Sequence, residues 1–173
     1  MTEIEVKPEH AADPDSRRIG IVVGIVGILL SVVTIASHRA HTSAVIHKTE
    51  SNDQWTYYQA KKIRESAAQT AVTVLQALAG DPARIGAAVR KLQAAREHYG
   101  NDAARIKAEA LSRDREAQLD ENRALRFDIG AGLLELGLVL CSLFFLARNS
   151  FFPIFGLLAS AAGTLMGLWG FLS

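Results

Sequence analysis

The charged residues of this 173-residue chain are segregated along its length, and this limits what it can fold into. Residues 19–37 contain no charged residue, and residues 129–172 contain only Glu135 and Arg148. Most of the others lie between residues 38 and 128. A single soluble globule does not separate polar and apolar residues in this way, so the sequence predicts membrane spans joined by a polar region.

The first apolar run, residues 19–37, predicts a membrane-spanning helix. Its 19 residues give a helix of roughly 28 Å, close to the thickness of the hydrocarbon core. A cleavable signal peptide is the alternative, but the run is longer than the apolar region of most signal peptides, and no clear cleavage site precedes His38. Residues 1–18 are polar, contain two prolines and are predicted to be disordered.

Two further spans are predicted near the end of the chain, over residues 129–147 and 153–172. The polar residues 148–150 separate them, and Pro153 suits the first turn of a new helix because its missing N–H would be unpaired there. A buried hairpin in a soluble core is the alternative, but both runs are too long and too uniformly apolar for it. We therefore expect an all-α protein with three transmembrane helices.

Small residues recur along one face of the first and third spans. Their spacing alternates between four and three residues, which keeps them on one side of a helix. Such faces allow helices to pack closely in lipid, although glycine is also simply common in membrane helices. The glycines predicted to pack are Gly20, Gly24 and Gly27 in the first span, and Gly156, Gly163, Gly167 and Gly170 in the third.

The middle region, residues 38–128, is predicted to form a long helical hairpin outside the membrane. No glycine or proline lies between Gly27 and Gly80, so the first span is expected to continue as a helix over about residues 38–79. Glycine, aspartate and proline at positions 80–82 predict a helix end and a new start. Positions 100–102 predict a second break, which gives helices over about 82–99 and 102–128.

Two stripes with coiled-coil spacing lie in this region. Alanine recurs every seven residues from Ala103 to Ala124, which favours close helix packing, although Arg113 and Asp120 in the same stripe weaken an apolar contact. A second stripe on the preceding helix has a similar period, and the two stripes are predicted to pack against each other. That second stripe consists of Tyr57, Ala60, Ala67, Ala71, Val74 and Leu78.

Chemistry-bearing motifs are few. His38 and His41, three residues apart, are weak candidates for a metal site, and solvated histidines are the favoured interpretation. We find no glycine-rich phosphate loop, nucleophile elbow or paired-carboxylate motif in the sequence, so we expect no enzymatic activity and no cofactor. The net charge of +1 gives no reason to expect nucleic-acid binding.

Three aromatic residues, Trp55, Tyr57 and Tyr58, are concentrated in the polar region. Tryptophan and tyrosine dominate the energetics of protein interfaces, so they are candidates for an interaction surface. Their alternative role is a structural contact where the helices of the hairpin cross. The sequence leaves both open.

The string Asn52-Asp53-Gln54-Trp55-x-Tyr57-Tyr58-Gln59-Ala60-Lys61 has one span before it and two terminal spans after it. In this arrangement the chain, from residue 19 onward, resembles the bacterial family of unknown function DUF4337. The resemblance implies a bacterial membrane protein. It implies no activity, cofactor or catalytic residue.

Glu135 is the one acidic residue within the predicted spans, about 10 Å beyond Asp128 along the helix. An acid at this depth is costly, so it needs a partner, a proton, or a route to the membrane surface. Ser31, Thr34 and Arg39 are predicted to lie at comparable depths and are the candidate partners. Outward extension toward the surface is the alternative.

The packing features favour a structural or interaction protein, either a scaffold or an accessory subunit. Its expected partners are the lipid bilayer, further copies of the chain or a larger membrane complex. The first alternative is a transport or channel accessory protein that uses Glu135, and the second is a metal-binding protein that uses His38 and His41. Lys7, Arg17, Arg18 and Arg148 in the short segments favour an N-terminus in the cytoplasm and a helical region in the periplasm, and the acidic tail weakly favours the opposite orientation. The resemblance to DUF4337 implies a bacterial membrane, and we expect the inner membrane.

Overall fold

The computed structural model describes residues 14–78 and 80–172, which form three α-helices and no strand. These are α1 (Pro14–Ala77), α2 (Pro82–Ala147) and α3 (Phe151–Leu172). Each contains a segment long and apolar enough to cross a membrane. The predicted all-α fold with three such helices is confirmed. The tail predicted to be disordered ends earlier than expected, because α1 begins at Pro14; residues 1–13 lie outside the described residues.

The two long helices are unbroken. In α1, the apolar segment and the polar segment after it form one continuous helix. α2 continues through Gly100 and Asp102, so the predicted helix boundary there is wrong. A glycine costs only about 1 kcal/mol within a helix, and favourable packing offsets this. Asp102 does not cap a helix and instead accepts a hydrogen bond from Lys61 on α1.

The connections between helices are short and capped. The Oδ1 atom of Asp81 accepts a hydrogen bond from the N–H of Ala83 at 3.0 Å, which caps the start of α2 as the sequence predicts. Asn149 caps α3 in the same way through the N–H of Phe151, so α3 begins two residues before Pro153. Arg148 has a φ of 46° and is the non-glycine residue with positive φ among the described residues.

The described residues divide into two compact units, one on either side of the boundaries at positions 41/42 and 120/121: the first holds the described residues up to 41 and from 121 onward, and the second those between 42 and 120. In the first unit, α1 and α2 share an apolar core, and Val33 and Leu134 belong to it. α3 joins this unit through a face of small residues that is buried along its whole length. That face consists of Gly156, Ser160, Gly163, Gly167 and Gly170.

The second unit is an antiparallel pair of helices. The alanine heptad of α2 is buried, as predicted, with Ala103, Ala110 and Ala117 at most 5% exposed. The α1 residues that face it are buried or half-buried at alternating spacings of three and four. These inner positions are Ser51, Gln54, Tyr58, Lys61, Glu65, Ala68, Val72 and Leu75.

The prediction that the stripe from Tyr57 to Leu78 packs against α2 is therefore wrong. Tyr57, Val74 and Leu78 are 61%, 52% and 58% exposed. The two stripes of α1 have the same period. α1 packs against α2 through the inner positions because their small residues let α2 approach, while their long polar residues extend to charged partners.

Candidate functional site

The most conspicuous surface of the second unit is the exposed stripe of α1, which we call the outer stripe. It consists of Tyr57, Ala60, Ala67, Ala71, Val74 and Leu78, of which Ala71 is half-buried and the others are exposed. Leu78 directly follows the end of α1, and Ile63 lies beside the stripe. Its middle part forms an open apolar groove. Residues 66–80 carry no charged side chain although most of them are exposed. An uncharged apolar face of this kind on a polar helix is typical of an interaction site.

The three aromatic residues of the sequence motif have different positions. Trp55 and Tyr58 are half-buried and pack edge to face, with their ring centroids 5.5 Å apart. Tyr57 is exposed and begins the outer stripe. Tyr58 thus lies at an inner position that faces α2 and Trp55 packs on it, whereas Tyr57 is the exposed member of the three.

A polar cluster holds α1 against α2 next to this motif. The Nζ atom of Lys61 donates a hydrogen bond to Oδ2 of Asp102 at 2.5 Å and lies 5.6 Å from the centre of the Tyr99 ring. Arg64 lies 6.0 Å from the same ring. The hydrogen bond from Lys61 lowers the pKa of Asp102 below its usual value, although partial burial opposes this.

A second polar cluster surrounds Asp120, a residue that the sequence indicates only as one that weakens the apolar contact of the heptad. Asp120 accepts a hydrogen bond from the hydroxyl of Ser43 at 2.6 Å and contacts Nδ1 of His47 at 3.0 Å. Glu116 lies 3.9 Å from Nε2 of His47. This pairing is not predicted from the sequence, although the inward heptad position of Asp120 indicates that a polar partner on α1 is needed.

The histidines at the end of the first apolar segment interact with an acid. Nε2 of His41 lies 2.8 Å from Asp128, and the hydroxyl of Ser37 donates a hydrogen bond to the same carboxylate at 2.5 Å. The bond from Ser37 lowers the pKa of Asp128, burial opposes it, and His41 adds to the lowering. Within the described residues, no group of three or more metal-ligating side chains accompanies His38 and His41.

Glu135 is exposed on the surface of α2. In the part of the chain that the structure describes, no hydrogen bond or ion pair involves it. Of its predicted partners, Ser31 donates its hydroxyl proton to the carbonyl of Gly27 at 2.9 Å, and within the described residues no hydrogen bond or ion pair joins Thr34 or Arg39 to the carboxylate. The internal pairing considered for Glu135 is thus not found.

The two glycine faces differ in what they contact. On α3, a Cβ at Gly163 would lie 2.7 Å from the carbonyl oxygen of Gly130, and one at Gly156 would lie 2.8 Å from that of Gly137. The α3 face, which includes Gly167 and Gly170, therefore packs directly on its neighbours. Among the described residues, a Cβ at Gly20 or Gly24 would meet nothing within 4 Å, and one at Gly27 would touch Leu138 alone, at 3.7 Å.

Together these features define an all-helical protein with three helices long and apolar enough to cross a membrane, two of which also form a polar helical pair. The chain belongs to the family described as a domain of unknown function, DUF4337, whose model matches residues 15–173. The predicted family is thus confirmed. No curated protein and no solved structure shows significant similarity to the chain.

Proposed function

We propose that this protein is a multi-pass membrane scaffold that self-associates through the outer stripe of α1. The observation that carries the proposal is the position of this stripe. α1 already packs against α2 through its inner positions, and the outer stripe presents a second apolar face with the spacing of a helix contact. A helix with two such faces is typical of a bundle with more than two helices.

The chemistry of the outer stripe favours a second copy of the chain as its occupant. Residues 66–80 carry no charge, so two identical faces meet there without electrostatic repulsion. Copies anchored in one bilayer also carry the stripe at the same distance from the membrane, so equivalent residues meet in register. Anchoring raises their effective concentration, which favours even a weak contact.

Cysteine cross-linking of the full-length protein in native membranes tests this contact. Ala67→Cys and Val74→Cys place a thiol on the outer stripe, and Gln69→Cys places one on the opposite side of the same exposed turn. We expect oxidation to give covalent dimers of the first two variants and not of the third. The native Cys141 is buried, so the unmodified chain gives the background. Equal dimer yields from all three variants, or none, would refute self-association through this face.

For the location, we propose the inner membrane of a bacterium, with the N-terminus in the cytoplasm and residues 42–120 in the periplasm. The support is the basic character of the short segments at Arg17, Arg18 and Arg148, because short cytoplasmic segments carry an excess of arginine and lysine. In intact cells, Ser112→Cys should react with a membrane-impermeant maleimide. Reaction only after cell lysis would reverse the orientation.

A further inference from the structure

We propose that Glu135 marks a docking site for a membrane helix of another protein, one that carries a lysine or arginine within its span. The inference depends on the membrane insertion assumed above and not on self-association through the outer stripe. Glu135 and Asp128 are seven residues apart and lie on the same side of α2. Asp128 has two partners, Ser37 and His41, whereas Glu135 has none among the described residues.

The depth of Glu135 makes this lack of a partner significant. It lies about 10 Å beyond Asp128 along the helix axis, inside the apolar segment of α2. A carboxylate exposed to hydrocarbon is costly, and acids in membrane helices are normally paired. We assign this partner to another chain; a proton on the carboxyl group or extension toward the membrane surface would also lower the cost, and the test below separates these from pairing.

A second copy of this chain does not supply the complementary charge. The apolar segments 19–37, 129–147 and 151–172 contain no lysine or arginine. Arg39, predicted at a comparable depth, follows Ser37 at the level of Asp128, about 10 Å from Glu135 along the helix axis. Symmetric copies in one bilayer place equivalent residues at equal depth, so a second copy brings another carboxylate to the level of Glu135. The hydroxyl of Ser31 is already bonded to its own helix. Charge complementarity thus indicates a different chain with a cationic side chain at this depth.

The surface around Glu135 allows a helix to approach. Gly132 precedes it by three residues on the same face, and a Cβ there would meet nothing within 4 Å. Val139, one turn after Glu135, is more than half exposed. A small residue next to a polar one is the combination through which membrane helices associate, because the backbones come close while the polar group is bonded.

The test uses the full-length protein in lipid nanodiscs and a synthetic leucine–alanine helix of about 20 residues. One version carries a single lysine positioned at the depth of Glu135, and the other carries leucine there. Energy transfer between a dye on Ser112→Cys and a dye on the peptide reports binding. We expect the lysine peptide to bind about tenfold more tightly than the leucine peptide.

Variants then assign this preference to the site. Glu135→Gln, which keeps shape and removes charge, should abolish the preference for lysine. Gly132→Leu should weaken binding of both peptides by obstructing the approach. Glu121→Gln, at an exposed position in the polar part of α2, should leave the binding of both peptides unchanged. Equal binding of the two peptides, or an unchanged preference for lysine in Glu135→Gln, would overturn the proposal. Neither result would change the cysteine cross-links of the outer stripe, which test self-association separately.

Discussion

The hydroxyl of Ser51 donates a hydrogen bond to the main-chain carbonyl of Ala110 at 3.2 Å, and both residues are almost completely buried. A short side chain reaches the backbone of a neighbouring helix only where the two helices lie very close together. The alanine heptad of α2 makes this possible, because its members fill almost no space between the helices. The packing of the second unit thus depends on residues that are small.

We expect Ala110→Leu to destabilise the helix pair, because the larger side chain cannot fit beside Ser51. Overpacking of this kind costs about 1–3 kcal/mol. Thermal unfolding of the purified protein, followed by far-ultraviolet circular dichroism, measures the loss. The neighbouring exposed residue provides the control, since Leu111→Ala should change stability by less than about 0.5 kcal/mol. Equal effects of the two substitutions would contradict the close packing.

Gly137→Ala should displace α3 from α2. A Cβ at this position would overlap the hydroxyl of Ser160 and would lie 2.7 Å from the carbonyl oxygen of Gly156. Because the obstruction includes backbone, we expect a loss of about 1–3 kcal/mol, measured as a lower melting temperature in detergent. Gly132→Ala is the matched control on the same helix, where a Cβ meets nothing within 4 Å. If both variants melt at the same temperature, the contact between α2 and α3 is not as close as described.

Gly100→Ala should stabilise the protein. Gly100 lies within α2, and its new Cβ would make an ordinary contact of 3.6 Å with the carboxyl group of Glu65. Alanine in the middle of a helix is favoured over glycine by about 0.5–1 kcal/mol. Gly80→Ala should give no such gain, because Gly80 lies between the helices and its Cβ would be only 3.2 Å from Ile85. A loss of stability in Gly100→Ala would indicate that α2 bends at this residue.

Acid should weaken the pairing between Lys61 and Asp102. The hydrogen bond from Lys61 lowers the pKa of Asp102, so the folded state holds this proton less tightly than the unfolded state does. The pair therefore contributes stability above the unfolded pKa of about 3.9, and the contribution disappears as the pH falls through the lower folded pKa. Asp128, whose pKa is also lowered, gives an effect of the same sign.

Chemical unfolding at a series of pH values between about 5 and 2 measures this dependence. Asp102→Asn should have a flatter profile than the unmodified protein, and Lys61→Gln should flatten it similarly by removing the donor. A profile that keeps its full slope in both variants would mean that this pair does not contribute to acid sensitivity.

The sequence was sufficient to predict the apolar segments, the alanine heptad and the cap at Asp81, because each follows from a local pattern. The inner face of α1 was not predictable in the same way. Its positions include Lys61 and Glu65, which resemble solvent-facing residues until their partners on α2 are known. The outer stripe has the same period and is more apolar, so the sequence alone favours it as the face that packs against α2.

The polar contacts between the helices also could not be predicted from the sequence. Asp120 and Asp128 are bonded to residues more than 70 positions away, so no local pattern indicates the pairing. Glu135 follows Asp128 by seven residues and so lies on the same side of α2, yet only the three-dimensional arrangement distinguishes the acid that is bonded from the acid that is not. The prediction of a helix break at Gly100 is wrong for a related reason, because local helix propensity contributes less than packing between helices.

Arg148 lies in a backbone conformation that glycine adopts freely and that costs other residues about 1–2 kcal/mol. Its N–H still closes the end of α2 by donating to the carbonyl of Phe144 at 2.8 Å, a role that does not need a long charged side chain. Replacement by glycine would therefore relieve strain without breaking this bond. The chain nevertheless has a cation between the two apolar segments. In the orientation proposed above, this cation would oppose transfer of the turn across the bilayer, so the conformational cost at Arg148 would be offset by a defined direction of insertion.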